Sequence, residues 1–93
     1  MEIIKQNESF KLKETKGLYE MSGTASRDVS GSMNINFNVN KSGEERFGDC
    51  HYSKYGESNN VNFSVNCSEE HRDELTTYAD SVIDSVLAYF KNI

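Results

Sequence analysis

Residues 68–92 read SEEHRDELTTYADSVIDSVLAYFKN, and the fold turns on this stretch. Leu75, Tyr78, Ala79, Val82, Ile83, Val86, Leu87 and Phe90 recur at the three-four spacing of one helix face. Asp73, Thr76, Thr77, Asp80, Ser81, Asp84 and Ser85 fall on the other face. Ser68 is placed to accept a hydrogen bond from a first-turn amide. Glu69 and Glu70 stand where the positive end of the helix dipole favours carboxylates. No Gly or Pro interrupts the run. The pattern predicts one helix of about 23 residues, ~34 Å long at ~1.5 Å per residue. Its apolar stripe needs a partner, and the preceding chain offers one.

That preceding chain alternates with a period of two. Phe10 and Leu12 alternate with Lys11 and Lys13, and Tyr19, Met21 and Ala25 with Glu20, Ser22 and Thr24. Met33, Ile35, Phe37 and Val39 are separated by Asn34, Asn36 and Asn38, and Val61, Phe63, Val65 and Cys67 by Asn62, Ser64 and Asn66. Half-buried antiparallel strands have this pattern. A fourth strand, about residues 45–54, is less regular. The sequence therefore predicts a single α+β domain over residues 1–93. It is a five-stranded antiparallel meander with one long C-terminal helix packed on its apolar face, since short connections favour sequential neighbours.

The turns predict a register. Ser42-Gly43 as a two-residue loop opposes Lys41 to Glu44, which sets Val39 against Arg46, Phe37 against Gly48, Ile35 against Cys50 and Met33 against Tyr52. A turn at Ser58-Asn59 pairs Lys54 with Phe63, Tyr52 with Val65 and Cys50 with Cys67. A three-residue loop at Asp28-Val29-Ser30 pairs Ala25 with Met33, Gly23 with Ile35 and Met21 with Phe37. A turn at Thr15-Lys16 or Lys16-Gly17 puts Phe10 and Leu12 on the face of Tyr19 and Met21. Cys50 and Tyr52 then point into the core, while Asp49 and His51 point outward. A one-residue slip would reverse that.

The charge is uneven. Residues 1–46 hold seven acids and seven bases, whereas residues 47–93 hold eight acids and three bases, which gives the net charge of −5. Six of those acids lie in the helix region, at Glu69, Glu70, Asp73, Glu74, Asp80 and Asp84. Direct nucleic-acid binding is disfavoured, because phosphate contacts need clustered Lys and Arg. The N-terminal MEIIKQNESF lacks the basic start and apolar run of a signal peptide. No stretch approaches the ~20 apolar residues of a membrane span. The expected setting is cytoplasmic, with both thiols reduced.

Cys50, His51, Cys67 and His71 are all the cysteine and histidine in the chain. Their order, C-H-x15-C-x3-H, has the residue types of a zinc site. Adjacent strand residues point to opposite faces, however, so Cys50 and His51 do not converge on one ion. No metal and no cofactor is expected. Asp49 and His51 share the outer face, but no nucleophile accompanies them, so no catalytic residue is assigned and the chain reads as non-enzymatic.

Three surfaces remain as binding candidates. The outer sheet face, with Asn34, Asn36, Phe47, Asp49, His51, Tyr55 and Asn66, is rich in uncharged polar groups and carries aromatics, a composition that an interface tolerates. The acidic helix stripe, Asp80 and Asp84, suits a protein that occupies the basic nucleic-acid groove of a partner. The fifth strand, with Asn62, Phe63, Ser64 and Val65, is an uncharged edge, whereas Lys5, Glu8, Lys11, Lys13 and Glu14 guard the first. The reading that ranks first is a protein-interaction module that dimerises through its fifth strand into a ten-stranded sheet and engages an as yet unnamed protein partner. Folding of Met1–Gln6 over that edge is another way to cover it. The acidic inhibitor is one alternative. A small apolar-ligand carrier, with a cavity lined by Met21, Met33, Tyr19, Tyr52 and Tyr78, is the other.

Overall fold

In the computed structural model, which describes residues 2–6, 9–28, 30–42, 44–56 and 58–92, six strands form one antiparallel sheet in chain order. They are β1 (Glu2–Gln6), β2 (Ser9–Lys16), β3 (Tyr19–Arg27), β4 (Met33–Lys41), β5 (Glu44–Lys54) and β6 (Val61–Cys67). A 3₁₀ turn, Glu69–His71, leads into the helix α1 (Arg72–Lys91). The α+β meander with a C-terminal helix holds, with six strands rather than five. The added strand, β1, pairs with β2 and sets Ile3 beside Leu12 on the helix face. Residues 2–6 therefore extend the sheet at the β2 side and do not cover the opposite edge. Glu8 lies outside the described residues.

Strand parity matches the alternation, and the pairings differ from the expected ones by two residues. Ala25 faces Ile35, Gly23 faces Phe37 and Met21 faces Val39. The cause is a longer loop. Asp28 accepts from the Ser30 and Ser32 amides and from the Ser30 hydroxyl, and Gly31 adopts φ 91°, so the connection spans residues 28–32. These hydrogen bonds, led by that from the Ser30 hydroxyl, hold the Asp28 carboxyl below the usual carboxylate pKa. The next connection shifts the other way: Lys54 faces Val61 where Phe63 was expected, two residues nearer in the chain, and the Gly56 amide between them donates to Ser32 Oγ. Cys50 faces Val65, Gly48 faces Cys67, and both cysteines are free.

The β4–β5 hairpin shows a different correction. Lys41 opposes Glu44 as the turn requires, but a bulge then sets Val39 against Gly48 and Phe37 against Cys50. A bulge re-aims the side chain beside it. Phe47, expected on the outer face, is instead buried in the core, 5.8 Å from the Tyr19 ring and 4.5 Å from the His71 ring.

The helix buries Leu75, Tyr78, Ala79, Val82, Ile83, Val86 and Phe90. Below them lie Phe10, Leu12, Met21, Ala25, Ile35, Phe37, Val39, Cys50 and Tyr52. Ser68 occupies the extended cap position of the 3₁₀ turn, but its side chain makes no cap bond; its carbonyl accepts from the His71 amide. Close approaches at two glycines set the packing, one against the helix and one between β3 and β4. A Cβ on Gly48 would overlap Leu75 Cδ2 and the Asn66 carbonyl, and one on Gly23 would overlap the Asn36 carbonyl and the Phe37 backbone. Polar clasps hold both ends. Glu74 accepts from Tyr19 Oη and, at 2.9 Å, from Lys41 Nζ. At the far end Arg27 donates to the Phe90 carbonyl at 2.8 Å and lies 5.0 Å from the Phe90 ring centroid.

These contacts make α1 cross the sheet obliquely. It starts above β5, where Leu75 meets Gly48, and ends above β2 and β3, where Phe90 meets Phe10 and Arg27. The corner of β6 farthest from the helix start is left bare. Val61 is 48% exposed and Phe63 38%, while Val65 and Cys67, nearer the helix start, are half-buried.

Two outcomes follow from this packing. Gly48→Ala, which overpacks the seat of Leu75, should cost about 1–3 kcal/mol in urea unfolding, and Phe37→Ala about 3–5 kcal/mol. Alkaline pH should also destabilise the fold through Tyr78. Burial, with the hydrogen bond to Glu14 second, raises the Tyr78 phenol well above its ordinary value. The unfolded chain loses that proton near pH ~10 and the folded chain does not, so stability is full below pH ~10 and falls above it. Tyr78→Phe should flatten that fall in unfolding curves taken at pH 8 and pH ~11.

Candidate functional site

Cross-strand register gathers the outer-face candidates into two rows. Ser22, Asn38, Asp49 and Asn66 stand in one, and Thr24, Asn36, His51 and Ser64 in the next. Between the rows runs a shallow open depression of about 470 Å³. Its walls include Thr24, Asn36, Asn38, Asp49, His51 and Asn66, and backbone of Gly23, Phe37 and Cys50 forms its floor. The predicted Asn36, Asp49, His51 and Asn66 thus come together. Asn34 is exposed outside the depression, and Tyr55 stands just past the end of β5, 67% exposed. Thr24 and Asn38 were not among the sequence candidates. Their place follows once Gly23 is set against Phe37, because each is next to a residue of that pair.

His51 Nδ1 bonds the Asn36 side-chain oxygen. An amide oxygen only accepts, so Nδ1 is the donor in this bond. Asp49 and His51 are both half-buried on the outer face. Cys50, between them in sequence, turns its thiol into the core, where burial pushes its pKa up to about 12. The trough thus offers amide, hydroxyl, carboxylate and imidazole hydrogen-bonding groups and no thiolate. Among the described residues no group of three or more His, Cys, Asp or Glu is placed to hold a metal ion.

The helix acids divide into two sets. Glu74 holds Lys41 and Tyr19, Arg72 lies 3.7 Å from both Glu69 and Asp73, and Glu70 lies 3.5 Å from His71. Asp80 and Asp84 stand exposed farther along the helix. Of the proposed ligand-cavity lining, Met21, Tyr52 and Tyr78 are buried in the core, and Tyr19 and Met33 pack partly buried against it. No described helix is long and apolar enough to cross a membrane.

The third candidate surface, β6, is a sheet edge with β5 on one side only. Asn62 and Ser64 are exposed on its outer face; Phe63 and Val65 share the helix face with Tyr52 and Cys50. No protein-family model, curated protein or solved structure matches this chain.

The thiols provide a direct check on these placements. Alkylation at pH 8 with mass-spectrometric mapping should label half-buried Cys67 first and reach Cys50 only on unfolding, because the thiolate is the reacting form and burial suppresses it. Equal labelling of the two in the folded protein would contradict the inward placement of Cys50.

Proposed function

We propose that this protein is a non-enzymatic, cytoplasmic protein-interaction module that works by accepting an antiparallel strand at β6. The observation that carries the reading is the state of that edge. Its seven residues, VNFSVNC, hold no charge and no Pro, and Val61 and Phe63 lie uncovered on the helix face. Natural sheets blunt bare edges with charge, Pro or a covering element. The other edge follows that practice, since β1 carries Glu2 and Lys5 among its five residues. An added strand gains main-chain hydrogen bonds from the edge and specificity from alternate side chains. Phe63 is the apolar anchor that such a strand would cover, and Asn62, Ser64 and Asn66 supply the polar face.

A fluorescently labelled peptide with the β6 sequence tests this. It should bind the wild-type protein at tens of micromolar, and Ser64→Lys should abolish binding without altering the circular dichroism, since Ser64 is exposed. Absence of peptide binding, together with a monomeric mass by light scattering, would overturn the reading.

A further inference from the structure

We infer that the strand β6 accepts is the β6 of a second copy of this chain, with a two-fold axis through Ser64. This rests on the strand-accepting reading above and adds to it the occupant and the register.

Opposed residues of an antiparallel pair point to the same face. A partner strand must therefore set apolar residues against Val61, Phe63, Val65 and Cys67, and polar ones against Asn62, Ser64 and Asn66. β6 read backwards does both. With its full seven residues overlapped, Val61 opposes Cys67, Asn62 opposes Asn66, Phe63 opposes Val65, and Ser64 opposes its own copy. No like charges meet along the strand.

The burial gradient along β6 points to the same occupant. The bare end, Val61 and Phe63, lies far from the helix start, while Val65 and Cys67 are half-buried nearer it. The two-fold brings the bare end of each strand beside the sheltered end of the other. There the chain turns through Glu69–His71 into α1, so the helix start of each copy flanks the apolar corner of its mate. Lys54, which pairs with Val61, then faces the acidic helix start of the mate, Glu69 and Glu70. A foreign strand supplies neither that cover nor that charge.

Closure is favoured as well. Each chain has one uncharged edge and one charged edge, so β6 against β6 ends the assembly, whereas β6 against β1 would propagate a filament. The product is a continuous twelve-stranded sheet with both helices on one side, in place of the ten strands expected from five per chain.

Ser64→Cys in a Cys67→Ser background tests both occupant and register. Opposed Cα atoms in an antiparallel pair lie ~4.5–5.5 Å apart, within disulfide reach. Mild oxidation should link Ser64→Cys chains into covalent dimers, and Asn62→Cys chains, which face Asn66, should link far less. A light-scattering dimer in which Ser64→Cys fails to link, or Asn62→Cys links equally well, would overturn the register. A monomer at tens of micromolar that still binds the β6 peptide would overturn the second copy and leave the strand-accepting reading intact.

Discussion

One helix has to roof a sheet of six strands, and it is too narrow to do so. With side chains an α-helix is ~10–12 Å across, while six strands at ~4.8 Å spacing span ~24 Å between the outer two. Lengthwise the match is good, since 20 helical residues and a nine-residue strand both reach ~30 Å. The Cα extents of 40 × 26 × 17 Å are those of such a two-layer slab. An oblique crossing, which starts over β5 and the Cys67 end of β6 and reaches Phe10 on β2, leaves part of each edge short of cover. Each edge then meets the deficit differently. β1 shelters Ile3, packed partly buried against the core, leaves Ile4 43% exposed on the outer face, and carries charge. β6 has Val61 and Phe63 and carries none.

The clasps that fix the helix are local and chemically distinct. At its start, Lys41 lies over the rings of Tyr19 and Phe47, at 5.7 and 5.2 Å, and also pairs with Glu74. Tyr19 stacks on Tyr78 at 5.1 Å. At its end, Arg27 satisfies a carbonyl that the last helical turn leaves open. Exposed ion pairs alone contribute little. Here they sit on aromatic faces that the core already needs, so orientation and burial support each other. This arrangement fixes which corner of β6 is bare, and the proposed interface is a consequence of the same geometry.

How much of this was legible in the sequence follows from what each signal measures. Alternation reports parity, and parity survived because the loops at 28–32 and 55–60 moved the pairings by two residues. Cys50 and Tyr52 are buried for that reason. Loop length itself depends on hydrogen bonds that only the folded turn reveals, such as Ser32 accepting from Gly56 across two connections. Phe47 was misplaced because a bulge breaks the alternation that the reading relied on. The strand β1 was missed because Glu2–Gln6 carries two adjacent isoleucines and no alternating pattern. The outer-face residues were legible one by one, but their assembly around one trough needed the true register. The bare corner of β6 was not legible at all, since it depends on the path of the helix over the sheet.

Residue-resolved hydrogen exchange by NMR, at tens of micromolar protein, addresses the central claim most directly. The outward-pointing amides of the two edge strands are the observables. The account predicts that those of β6 are protected, that the protection fades on dilution, and that those of β1 exchange rapidly throughout. Outward β6 amides that exchange as fast as those of β1 at every concentration would contradict it.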